Sequence, residues 1–240
     1  MRQLLSRFSR GVTARLVAAA ARFRLLGGKV SSQAVPVAAP AAPVVPQIAD
    51  PAPLGLAGFA MTTMVLSVFN AGLLDSHLEA TVLPLAFFYG GLAQLLAGMW
   101  EFRKGNTFGA LAFSSFGAFW LSYYLFATNI AKLAPAGQVH KAAGLFLLGW
   151  TIFTLYMTVA AMRTSGAVLA VFVALELAFI FLTIGNFADK PHITHVGGWL
   201  GLLTALLAWY ASFAGVTNAT WGRTIAPTFP LPPRPVVTTR

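Results

Sequence analysis

Asp50-Pro-Ala-Pro-Leu-Gly-Leu-Ala-Gly-Phe-Ala-Met-Thr-Thr, residues 50–63, opens the first long apolar run of the chain with helix-entry chemistry. The Asp50 carboxylate can cap a helix, and Pro51 and Pro53 lack the N–H groups that a helix start leaves unsatisfied anyway. Behind them Gly55, Ala57 and Gly58 let another backbone come close, as small residues do where helices pack in lipid. The run continues apolar to about residue 74, long enough to cross about 30 Å of hydrocarbon, which takes about 20 residues of helix.

Five further runs of that kind follow. The spans are predicted at 53–74, 82–101, 107–129, 143–162, 166–187 and 197–217. Composition agrees, because 58% of the 240 residues are hydrophobic and 9% are charged, against about 25% charged in an ordinary soluble domain. The expected architecture is an all-α integral membrane protein. Its organisation is a tail over 1–49, a six-helix membrane domain over 50–222 and a short C-terminal tail over 223–240. The loops are too short for a second folded domain, so any chemistry lies inside the bundle.

Basic residues near helix ends are retained on the cytoplasmic side. With both termini inside, the inner segments carry thirteen of the sixteen Lys and Arg residues, among them Arg103, Lys104, Arg163 and Arg223. The outer loops carry Lys132, Lys141 and Lys190. The net charge of +10 therefore reads as topology and attraction to anionic lipid, not as nucleic-acid binding. Residues 1–49 hold no acidic residue before Asp50 and run from an Arg-rich part into an Ala/Pro/Val stretch. They read as a largely disordered cytoplasmic tail, with a surface-bound amphipathic helix or an organellar transit peptide as alternatives.

The chain has no cysteine, which excludes disulfides and thiol chemistry. His77, His140, His192 and His195 are expected in outer loops as solvated residues, and no metal site or cofactor is assigned. Phosphate-binding loops and nucleophile elbows are absent from the sequence, so neither nucleotide-driven pumping nor hydrolysis is supported. The expectation is a non-enzymatic membrane protein.

The chain resembles the acetate uptake transporter family, the yeast and bacterial acetate/succinate permeases. Asp50-Pro-Ala-Pro-Leu-Gly-Leu is similar to the family signature, with Asp in place of Asn at its first position. Phe69-Asn-Ala-Gly-Leu, Phe88-Tyr-Gly-Gly-Leu-Ala-Gln, Glu101-Phe-Arg-Lys-Gly-Asn-Thr-Phe-Gly-Ala, Ile184-Gly-Asn and Gly222-Arg-Thr-Ile-Ala-Pro extend the match over about residues 50–230. The resemblance implies six-helix protomers assembled as hexamers, one pore in each, taking up acetate and in some members succinate together with protons. It also implies an apolar constriction at Phe59, Phe116 and Leu175, where Phe116 stands in place of the family's usual Tyr.

The residues themselves allow such a path, which needs donors to replace carboxylate hydration and an apolar neck that excludes water. Thr62, Thr63, Asn70, Tyr89, Gln94, Thr107, Ser114, Ser115 and Asn186 supply candidate donors, each of which could equally bond between helices. Glu176, inside the fifth span, is the proton-coupling candidate, since intramembrane carboxylates are costly and often relay protons. The alternative for it is a neutral residue at a subunit contact. Glu101 is expected to pair with Arg103 or Lys104. The reading is a plasma-membrane transporter for acetate and short monocarboxylates, with a passive acetate channel or a non-conducting sensor or scaffold as alternatives.

Overall fold

The computed structural model describes residues 48–135 and 137–231. The tail expected over 1–49 lies, apart from its last two residues, outside them. Six helical rods, each long and apolar enough to cross a membrane, make up most of the described residues: α1 (Ala52–Asn70), α2 (Ser76–Lys104), α3 (Thr107–Leu133), α4 (Val139–Ala161), α5 (Gly166–Phe187) and α6 (Pro191–Trp221). Among the described residues the only β-pairing is an isolated bridge between Ser165 and Pro230.

The predicted spans find their helices, with ends moved by local chemistry. α1 stops short of residue 74 because Gly72 takes a left-handed φ of 71°, and the Leu73 N–H turns back to the Val68 carbonyl. α2 starts earlier, in a 3₁₀ turn capped by the Asp75 carboxylate, which accepts from the His77 N–H at 2.9 Å. α6 starts at Pro191 and runs 31 residues, so His192 and His195 lie on a helix and not in a loop. His140 likewise belongs to the first turn of α4.

The chain winds so that α2 packs on α1 and α3, α1 on α6, α6 on α5, and α5 on α4. α3 meets α4 mainly through aromatic rings. Phe119 lies 5.2 Å from Trp150 and 5.6 Å from Phe146 between centroids, and Phe116 lies 5.3 Å from Phe153. The Phe119–Phe146 pair is stacked and the other two are edge-on, and aromatic pairs of either kind contribute about 0.5–1.5 kcal/mol each beyond their buried area.

One packing feature sets the middle of the bundle. Phe88–Ala93 in α2 form a π turn, four residues after Pro84 has removed a backbone donor, and wide turns of this kind redirect side chains. α1 lies directly on that turn: a Cβ at Gly58 would sit 2.6 Å from the Tyr89 carbonyl oxygen. Gly58 therefore allows an approach that any larger residue would push apart.

Candidate functional site

Three cavities follow one another between α1, α3 and α5. A chamber of about 310 Å³ opens at the end of the bundle that carries Arg163. A vestibule of about 460 Å³ opens at the opposite end, beside Glu79. Between them lies a neck of about 40 Å³, room for about three water molecules.

Phe59 and Leu175 line both the chamber and the neck. Phe116 lines the chamber, with its ring centroid 5.5 Å from that of Phe59. All three are nearly inaccessible, at 5%, 3% and 5% exposure for Phe59, Phe116 and Leu175. The structure therefore brings the three constriction residues named from the sequence to one place, the closed floor of the chamber. Helical spacing explains it. Phe172, Leu175 and Phe179 fall on one stripe of α5, and Phe113 and Phe116 on one stripe of α3.

The chamber walls are apolar, built from Leu56, Phe108, Phe113, Val171 and Phe172, with a few polar groups. Gln94 is 1% exposed and its Oε1 has no partner, so a buried amide borders an otherwise greasy wall. Asn106, Arg163 and Thr164 also line the chamber, and Arg163 is its single charged lining residue. Gly55 matters here through its neighbour, since a Cβ would lie 2.6 Å from the Phe113 ring.

At the other end, Asn70 lines both neck and vestibule, and Asn186 lines the vestibule. Asn186 also donates through Nδ2 to the Leu182 carbonyl at 2.9 Å. Glu79 accepts from the Tyr123 hydroxyl at 2.8 Å, and both residues face the vestibule. Thr63 lines the neck with its hydroxyl unpartnered.

Other sequence candidates stand apart from the three cavities. Thr62 donates to the Gly58 carbonyl at 2.9 Å and also faces the Leu85 carbonyl at 3.5 Å, joining α1 to α2. Tyr89 and Ser115 line none of the three. Glu176, 7% exposed with Oε2 unpartnered, also lines none of them. It stands seven residues before Thr183, on the same helical row, and Thr183 bonds Thr151 of α4 at 2.9 Å.

One expectation about charge is corrected. Glu101 makes no ion pair with Arg103 or Lys104: it is fully buried and both its oxygens are unpartnered. Lys104 instead donates to Asp50 at 2.7 Å, the one ion pair among the described residues. Asp50 also accepts from the Ala52 N–H at 3.0 Å, so the start of α1 offers that N–H to its own chain. Pro51 is the N-cap residue, and the Pro53 carbonyl accepts from Ser212 at 2.7 Å, fastening α1 to α6.

Arg163 and Thr164 were not legible as site residues. In sequence they read as a connection between two spans, and only the meeting of α3, α5 and that turn puts them on the chamber. Phe172 carried a signal, its three-residue spacing from Leu175.

The model of the family described as GPR1/FUN34/yaaH matches residues 32–233. "Accumulation of dyads protein 2" of Saccharomyces cerevisiae is 43% identical over 191 residues, covering 78% of this chain and 68% of that protein. "Succinate-acetate/proton symporter SatP" of Escherichia coli K12 is 40% identical over 185 residues, covering 75% of this chain and 95% of that one. A solved structure described as that of "the bacterial acetate channel SatP" superposes with a TM-score of 0.71 at 39% identity, over 76% of this chain and 99% of its own.

Proposed function

Because the chain belongs to the GPR1/FUN34/yaaH family, we propose that it carries acetate and related short-chain carboxylates across a membrane by the path of chamber, neck and vestibule. The observation that carries this reading is the neck. Phe59 and Leu175 close an apolar gap of about 40 Å³ between two larger cavities that have amides at their walls. A small acid with a methyl end matches such a sequence of surfaces. Arg163 draws the carboxylate in, Gln94 replaces part of its hydration, and the methyl group passes the rings first.

The same neck gives a reason for proton coupling. An isolated carboxylate in apolar surroundings costs on the order of tens of kcal/mol by an idealised Born argument, whereas a neutral group that loses its hydrogen bonds costs roughly 2–7 kcal/mol. The neutral acid therefore crosses far more readily, and net uptake moves one proton with each acetate. The lining of chamber and neck contains no Asp, Glu or His, so the proton rides on the substrate. A protein-borne relay is the alternative, with Glu176, which lines none of the three cavities, as its candidate.

A passive acetate channel is the second reading, favoured by the 39% identical solved structure described as a bacterial acetate channel. Proteoliposomes distinguish the two. With rates corrected for protein-free vesicles, coupled uptake follows an imposed pH gradient and ignores a potassium diffusion potential. Uptake that follows the potential at zero pH gradient establishes the channel. Absence of protein-dependent flux leaves a sensor or scaffold.

The proposed setting is the plasma membrane, with both termini and the Arg163 end cytoplasmic. The exposed α4 residues Leu145, Leu148, Ile152, Leu155 and Val159 offer surface to lipid and to further copies in a homo-hexamer.

A further inference from the structure

Residues 223–231, read from the sequence as the start of a tail, fold back as a strap over the entry of α5. The Phe229 carbonyl accepts from the Gly166 N–H at 2.7 Å and the Thr228 carbonyl from the Ala167 N–H at 3.2 Å. The Leu231 N–H donates to the Thr164 carbonyl at 3.4 Å. Helix starts leave such N–H groups without intrahelical partners, and here the strap supplies them. Phe229 takes a φ of 55° to do so, a left-handed conformation that a bulky residue adopts only when its surroundings hold it there.

α6 holds the strap by two side chains. Asn218 Oδ1 accepts from the Ile225 N–H at 2.6 Å and the Ala226 N–H at 3.0 Å, and its Nδ2 donates to the Ala226 carbonyl at 2.8 Å. The Tyr210 hydroxyl donates to the Pro227 carbonyl at 2.7 Å. What the strap holds in turn is the Arg163–Ser165 turn, and Arg163 and Thr164 line the chamber. Two consequences follow. The α5 entry has two of its N–H groups occupied, so it is not free to attract an incoming anion, and the positive charge at the chamber comes from Arg163.

We propose that the strap is a positioning device for carboxylate capture, with Asn218 as its principal positioning residue acting through Arg163. This rests on the transport reading above. Asn218 makes no hydrogen bond to a chamber-lining residue, yet its three bonds fix the segment whose Thr228 and Phe229 carbonyls accept from the first N–H groups of α5 and whose Leu231 N–H holds the Thr164 carbonyl, next to Arg163. A strap that served stability alone would change the amount of folded protein and leave the affinity for substrate as it was.

The test combines kinetics with amide exchange on the full chain in proteoliposomes. Asn218→Ala is expected to raise the KM for labelled acetate about fivefold with the maximal rate within twofold of the parent. Asn218→Asp keeps the two acceptor bonds but loses the donor to the Ala226 carbonyl, and is expected to fall between the parent and Asn218→Ala in KM. In an Arg163→Gln background, itself raised in KM, Asn218→Ala is expected to add nothing. Hydrogen exchange at the Gly166 and Ala167 amides is expected to quicken in Asn218→Ala. Unchanged exchange at those amides overturns the strap whether or not acetate moves. A lowered maximal rate with unchanged KM, or effects that multiply with Arg163→Gln, overturns its action through Arg163. Absence of acetate flux in the parent chain overturns the transport reading and with it the capture role, while exchange still reports on the strap.

Discussion

Replacing Phe59 with Ala tests the neck most informatively. Phe59 is 5% exposed, lies 5.5 Å from Phe116 between ring centroids, and borders both the chamber and the neck. Removing its ring joins a space of about 310 Å³ to one of about 40 Å³. Apolar pockets discriminate by about 1–3 kcal/mol for each methylene they exclude, a factor of about 10–200. Butyrate exceeds acetate by two methylenes, and the widened neck is expected to raise the butyrate-to-acetate flux ratio at least tenfold. The assay is paired flux of the two labelled acids into proteoliposomes, with butyrate leak through protein-free vesicles subtracted. The substitution also costs stability, about 3–5 kcal/mol for a buried Phe→Ala change, so thermal unfolding is followed in parallel and a Leu175→Ala variant is run beside it. Ser115→Ala, which lines none of the three cavities, keeps the parent ratio. A folded Phe59→Ala protein with an unchanged ratio refutes the assignment of Phe59 to the permeation neck.

Other consequences concern the chamber, the buried acid and the packing. Gln94→Leu removes the buried amide from the chamber wall, and loss of a hydrogen bond to a charged group, about 1.5–3 kcal/mol, is expected to lower kcat/KM for acetate by about 10- to 150-fold while Ser115→Ala stays near parent. Glu176→Gln keeps the size of a side chain that lines none of the three cavities, so the pH-gradient dependence of uptake is expected to survive. Loss of that dependence makes Glu176 the relay. Gly58→Ala forces a methyl against the Tyr89 carbonyl oxygen, 2.6 Å from the Cβ position, and overpacking is expected to cost about 1–3 kcal/mol, visible as a lower midpoint of thermal unfolding.

The membrane fold was readable because the bilayer imposes one length and one polarity on every span. The run from Gly166 to Phe187 has an Asn-Phe end, a Ser-Gly start and a single acid between, and its predicted and observed limits coincide. Ends were harder where the helix outlasts the apolar run. α6 begins at Pro191 because proline fits a first helical turn, although His192, Thr194 and His195 are polar. The constriction residues were reached through a family resemblance, and α5 spacing then accounts for their convergence with Phe172. Pairing of charges was not legible. Lys104 could reach Glu101 three residues earlier along α2, but it pairs with Asp50, 54 residues away, because the fold sets the α1 entry beside the α2 exit and turns Glu101 inward. The chamber role of Arg163 and the strap were hidden for the same reason: the first depends on the meeting of α3 and α5 and the second on contacts between α5, α6 and the last described residues, which no local pattern records.

The absence of cysteine from the chain makes one measurement especially direct. With Leu175→Cys as the sole thiol, a small charged methanethiosulfonate reagent places a fixed charge where the account locates the neck. Labelled-acetate flux is expected to fall to the protein-free level on modification, with acetate slowing the reaction, while the same reagent on Ser115→Cys leaves flux intact. Full acetate flux through protein shown by mass to be modified at position 175 contradicts the claim that carboxylates cross between Phe59, Phe116 and Leu175.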